Sequence, residues 1–207
     1  MDFTALQLKF EDIYRQDHWT NGSGPGSLPK HTIEYRAFLS KFIAENKIET
    51  VTDLGCGDWQ STRLMDWNGV RYVGLDVVRG IVERNNEIYG SENVEFRHFT
   101  DLTQLPGGDL CICKEVFQHL PNDVVHAHVN AISRRYRFAL ITNFVEPEED
   151  CNREIEIGGG RPLKLEEPPF NARGCNVFSY NPQSGSWIFK NRVFLLFGDV
   201  IRREDGS

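Results

Sequence analysis

The chain has no surplus of positive charge: 30 acidic residues stand against 23 Lys and Arg, for a formal net charge of −7. A protein that grips nucleic acid displays a basic stripe, because neutralised phosphates supply most of its affinity. The clusters Arg134-Arg135-Tyr136-Arg137 and Arg202-Arg203 are too short for that and read as solvated, so no nucleic-acid partner is expected. Long apolar runs are missing too. Val193-Phe194-Leu195-Leu196-Phe197 falls far short of a membrane span, and the start, Met1-Asp2-Phe3-Thr4, lacks the basic region and apolar core of a secretory signal. The 5 cysteines form no regular pattern. Cys111 and Cys113 share one face of an apolar strand and read as small core residues rather than half of a zinc site. A reduced, cytoplasmic location is expected. Repeats and low-complexity tracts are absent as well.

What is present is a strand, a glycine turn and a second strand ending in an acid: Val51-Thr52-Asp53-Leu54-Gly55-Cys56-Gly57-Asp58, then Val73-Gly74-Leu75-Asp76. A helix is expected between the two strands. Gly55 and Gly57 permit a backbone approach that a Cβ would obstruct. Asp76 lies about 20 residues beyond the turn, where a carboxylate accepts hydrogen bonds from ribose hydroxyls. A dinucleotide turn needs a third glycine facing a pyrophosphate, but Gln60 stands there, and Asp58 would repel phosphate.

The frame resembles the first two motifs of class I S-adenosylmethionine-dependent methyltransferases, whose cofactor carries no phosphate. Val94 to Asp101 is similar to that family's third strand, with Asp101 as the acid that contacts the adenine amino group. Asp109 to Pro121 resembles the fourth strand and its loop, ending Val116-Phe117-Gln118-His119-Leu120-Pro121, and Phe138 to Val145 supplies a fifth strand. The resemblance covers roughly residues 50 to 145. It implies an α/β, Rossmann-like fold with a mostly parallel seven-stranded sheet, helices on both faces and an N-terminal helical cap. S-adenosyl-L-methionine is the implied cofactor, held by Asp53, Gly55, Gly57, Asp58, Trp59, Asp76 and Asp101. Trp59 is the aromatic favoured to stack beside the turn, ahead of Trp19, Phe117 and Trp187.

Outside the motifs, Leu6, Leu8, Phe10, Ile13 and Tyr14 outline a short amphipathic helix within residues 1 to 20. The glycine-rich stretch Ser23-Gly24-Pro25-Gly26-Ser27 breaks it. With Ser23 and Ser27 it either folds over the cofactor's amino-acid tail or serves as a hinge. Pro29 opens the next helix, with Tyr35, Phe38, Leu39, Phe42 and Ile43 on one face. Ile81 to Ile88 forms a helix stopped by Gly90, and Pro121 starts another.

One domain over 1–207 is expected: a cap over 1–28, a cofactor-binding core over 29–145, an acceptor-side lid over 146–175 and closing strands over 176–207. Within the lid, Arg161-Pro162-Leu163-Lys164-Leu165-Glu166-Glu167-Pro168-Pro169-Phe170-Asn171 resembles a segment of bacterial small-molecule methyltransferases that faces the acceptor. That makes Arg161 and Phe170 candidate substrate contacts.

Methyl transfer to a hydroxyl needs a base within hydrogen-bond reach. His119, with Glu115 second, is the candidate, as base or as orienter of the acceptor. His126 and His128 diverge by about 200° on their helix and read as solvated. Asp109 and Asn143 have no distinctive metal spacing, and no metal is expected. The reading is transfer of a methyl group to a small molecule, most plausibly at oxygen. The alternatives are a partner-binding protein of the same fold and a nicotinamide-dependent oxidoreductase. The oligomeric state stays open.

Overall fold

The computed structural model describes residues 3–146, 150–184, 187–188 and 190–198. The sheet-forming strands are β1 (Thr50–Leu54), β2 (Arg71–Asp76), β3 (Val94–His98), β4 (Gly108–Lys114), β5 (Tyr136–Phe144) and β6 (Gly174–Tyr180). A two-residue pair, β7 (Gln183–Ser184) and β8 (Trp187–Ile188), precedes the last strand, β9 (Asn191–Phe197). The helices are α1 (Phe3–Arg15), α2 (Ile33–Glu45), α3 (Arg79–Tyr89) and α4 (Asn122–Ser133).

Seven strands make one sheet in the order β3-β2-β1-β4-β5-β9-β6. The first five run parallel, and β9 pairs antiparallel with both β5 and β6. The inner strands are near-continuous apolar runs, as a sheet covered on both faces requires. One face packs α2, through Tyr35 and Leu39, and α3, through Val82. The other packs α4, through Val124, Val125 and Ile132, together with Leu163, Leu165 and Phe170. Between β3 and β4 there is room only for a 3-10 turn at Leu102–Gln104. Here α1 closes the layer, with Leu6 buried and Phe3 set edge-on to Phe99 at 5.3 Å.

Two local expectations change. The segment between β1 and β2 holds turns and no α-helix. Trp59 takes a left-handed φ of 61° and drives its ring inward among Tyr72, Tyr89 and Phe96, which interrupts a helical path at its first turn. Pro29 opens a 3-10 turn, Pro29–His31, and α2 begins only at Ile33. The antiparallel closing pair begins with β6 at Gly174, two residues before the expected 176; residues 199–207 of the expected closing segment lie outside the described residues.

Candidate functional site

A cavity of about 260 Å³ opens at the carboxyl ends of the parallel strands, where open α/β sheets place ligands. The sheet side is formed by the glycine turn after β1, Asp76 and Val77 after β2, Phe99 after β3, and Lys114, Glu115 and His119 after β4. Gly55 and Gly57 have φ of +73° and +53°. A Cβ on Gly55 would meet Val116 Cγ2 at 2.5 Å, and one on Gly57 would meet Ser23 Oγ at 2.2 Å. The glycines therefore make room for the protein's own side chains as well as for a ligand.

Asp76 is buried, and its carboxylate accepts from the Gly57 N–H and the Val78 N–H, both at 2.9 Å. Burial raises its pKa, and those two N–H groups partly offset the rise. Asp53 lies deeper, accepting from Tyr72 OH at 2.7 Å, and burial pushes it up to about 6. Both carboxylates border the cavity.

The opposite side is made by α1 and the glycine-rich stretch after it. Phe3, Leu6, Phe10, Tyr14 and Trp19 line the cavity together with Ser23 to Ser27. Polar links fasten this cover. Ser23 Oγ donates to Asp58 Oδ1 at 2.7 Å, and Tyr14 OH shares a 2.8 Å bond with the same hydroxyl. Lys114 Nζ donates to the Gly26 carbonyl at 3.0 Å. Ser23 and Ser27 thus stand at the cavity.

His119 follows β4 on a 3-10 turn, Phe117–His119. Its Nδ1 lies 2.6 Å from the Gly159 carbonyl. A carbonyl only accepts, so Nδ1 carries the proton and Nε2 the lone pair. The neighbouring amide agrees: Gln118 Oε1 accepts from the Phe144 N–H at 3.0 Å, which turns the Gln118 NH₂ toward His119 Nε2 at 3.4 Å. Burial lowers the His119 pKa, against the opposing effects of the Gly159 carbonyl and Glu115. The neutral imidazole is favoured, with the Trp19 ring 5.0 Å away.

Glu115 adopts φ 58° and pairs with Lys114. Asn191 Nδ2, at the first residue of β9, donates to it at 3.0 Å. Burial works to raise its pKa, but Lys114 and the Asn191 bond prevail and hold it below the usual carboxylate range. Glu115 is therefore a fixed anion beside the cavity, and of the two candidate bases His119 is the neutral one, its Nε2 lone pair facing the Gln118 amide at 3.4 Å.

Five other candidates lie away from the cavity lining. Asp101 is exposed and caps the turn after β3, accepting from the Thr103 N–H at 2.6 Å. Trp59 is core, because its left-handed backbone turns the ring under β2. Asp58 faces Ser23 and Gln60 instead of the cavity. Arg161 is buried, donating to the Phe117 carbonyl at 3.0 Å and to Asn122 Oδ1 at 2.8 Å, so it braces the His119 turn from behind. Phe170 packs in the core with its ring 5.0 Å from His126. The expected lid is in this part a packed segment that holds His119 through Gly159 and Arg161; residues 147–149 lie outside the described residues.

Sequence reasoning missed Tyr14 and His128 as cavity residues and ranked Trp19, which lines the cavity, behind Trp59. The spacing of Tyr14 on an amphipathic helix carried a signal only for burial. His128, expected to be solvated, is 4% exposed, because α4 turns it inward beside Phe117. Among the described residues no group of three or more His, Cys, Asp or Glu is placed to hold a metal ion, and no helix is long and apolar enough to cross a membrane.

No protein-family model matches the chain, and no curated protein matches it significantly. Solved structures do. A DhpI–SAH complex superposes with a TM-score of 0.64 at 17% identity, covering 95% of this chain and 97% of that one. A structure described for conversion of a disulfide bond into a thioacetal group during echinomycin biosynthesis gives 0.61 at 16% identity, covering 97% and 100%. Magnesium protoporphyrin IX methyltransferase from Synechocystis PCC 6803 with bound SAM gives 0.59 at 14%, covering 95% and 97%. The shared architecture is the Rossmann-like α/β fold of class I methyltransferases.

Proposed function

We propose, with the class I methyltransferase fold as the premise, that this chain transfers a methyl group from S-adenosylmethionine to a hydroxyl of a small molecule. Bound there, the cofactor would supply a methyl carbon activated by the adjoining sulfonium. The cavity suits it: a buried carboxylate at Asp76 for ribose hydroxyls, apolar walls at Val77 and Phe99, and, among the described residues, no cluster of cations asking for phosphate. A pyrophosphate would need the N–H groups of a helix after the glycine turn. The absence of that helix weighs against the nicotinamide alternative.

The observation that carries the reading is the His119 tautomer. Its Nε2 lone pair belongs to a neutral ring whose other nitrogen is tied to Gly159. The imidazole can take the acceptor's hydroxyl proton, while the Gly159 carbonyl steadies the imidazolium that results. Glu115 adds a fixed negative charge to the same region. Trp19, Phe10 and Leu120 exclude water and favour a small, largely apolar acceptor.

The test combines calorimetry with S-adenosylhomocysteine and turnover of a labelled methyl donor over a panel of phenols, alcohols, amines and carboxylates. Saturable binding with turnover of hydroxyl acceptors supports the reading. Replacing His119 by Ala is expected to lower kcat by about 10²–10⁴-fold while S-adenosylhomocysteine affinity stays nearly unchanged. The rate should decline only below the usual histidine range, since burial lowers this pKa and the base works deprotonated. Binding without turnover of any acceptor would favour the partner-binding alternative.

A further inference from the structure

We propose that His128 reads the adenine of the cofactor, its Nε2 accepting a hydrogen bond from the 6-amino group. The inference rests on the cofactor assignment above and adds a specificity residue to it.

The sheet fixes the direction of the ligand. His119 and Glu115 follow β4, and Asp76 ends β2. With the reacting end beside His119 and the ribose at Asp76, the base must extend toward β3, where Val77 and Phe99 border the cavity. His128 borders that same end. Its ring centroid lies 6.3 Å from Phe99 and 6.2 Å from Phe3, leaving flat apolar surfaces around a single polar edge.

The protonation of that edge follows from its neighbours. His128 Nδ1 lies 2.8 Å from the Val124 carbonyl one turn back on α4, so Nδ1 is the donor. Burial lowers the pKa and favours the neutral ring. Nε2 then carries a lone pair, and among the described residues nothing donates to it. His128 lines the cavity, so this acceptor is open to a donor brought by a ligand. An exocyclic amine entering from the cavity would satisfy it. The acid expected for this contact, Asp101, is exposed and committed to Thr103, which leaves the role to another side chain.

The experiment is calorimetry on the full chain with S-adenosylhomocysteine and S-inosylhomocysteine, which differ by a 6-amino donor against a 6-oxo acceptor, and at N1 by a lone pair against an N–H. The intact protein should prefer the adenosyl compound by about tenfold or more, since the 6-oxo group would oppose the lone pair. In His128→Phe the preference should collapse, with weaker adenosyl binding. In His128→Gln it should be retained, because the amide oxygen also accepts. Equal binding of both compounds by the intact protein would overturn the proposal whether or not a variant folds. An unchanged preference in His128→Phe would overturn it as well. Absence of any S-adenosylhomocysteine binding would instead remove the cofactor reading and this inference together.

Discussion

The two sides of the cavity are built by different means. The sheet side consists of strand ends whose positions are set by parallel hydrogen bonding and buried apolar runs. The cover, α1 and the glycine-rich stretch, packs Leu6, Phe3 and Phe10 onto the core edge and is latched by a few polar links, among them Ser23 with Asp58 and Lys114 with the Gly26 carbonyl. One side is a rigid bed holding buried charge at Asp53 and Asp76; the other is fastened onto it at the glycine turn. Gly57 touches both, with its N–H on Asp76 and its Cα face against Ser23.

That difference can be broken most severely at Gly57. Gly57→Ala places a Cβ 2.2 Å from Ser23 Oγ and strains a φ of +53°. A loss of about 3 kcal/mol in stability is expected, near the upper end for such strain, with S-adenosylhomocysteine binding weakened by about 100-fold through loss of the seated cover. Denaturant melts and calorimetry would show it; a variant that melts and binds as the parent does would refute the shared seat.

Next in size is Asp53→Asn, which acts on the bed alone. The Asp53 pKa is raised to about 6 by burial, so the folded state holds the proton more tightly than the unfolded state. The stability this gives is present below the unfolded value and lost as pH rises through about 6. At pH 7.5 the Asn variant should therefore be more stable by roughly 2 kcal/mol, and the gain should shrink toward pH 4. A pH-independent difference in Tm would contradict this.

The smallest effect is expected from Ser23→Ala, which unlatches the cover. A loss of about 1 kcal/mol is expected, with faster amide exchange over residues 3–28 and none over β1, β2 and β4. Equal acceleration in both regions would erase the distinction between bed and cover.

The same division explains what was legible in the sequence. The order of strands and the places of Asp53, Gly55, Gly57, Asp76, Glu115 and His119 follow from local signals: apolar runs, a glycine pair, acids at strand ends. The cavity contacts Tyr14, Trp19 and His128 depend on how α1 and α4 rotate against the sheet, which no short window encodes. Trp59 and Trp19 show the limit well. Trp59 adjoins the motif in sequence yet turns into the core; Trp19 lies 40 residues before Trp59 and reaches the cavity through tertiary packing. Arg161 and Phe170 were misplaced for the converse reason. An unusual loop invites a ligand-facing reading, whereas here the guanidinium is taken up by the Phe117 carbonyl and Asn122, and the ring by the core.

The insertion of β9 between β5 and β6 bears on how the site comes into being during synthesis. A nascent chain that has emerged only through Tyr180 already contains all five parallel strands and the sequence of β6. It still lacks the interior strand that joins β6 to β5, and it lacks Asn191, which steadies Glu115. The parallel half of the sheet can assemble as it leaves the ribosome, but the cavity acquires its full electrostatics only when a strand made after β6 is threaded between β5 and β6.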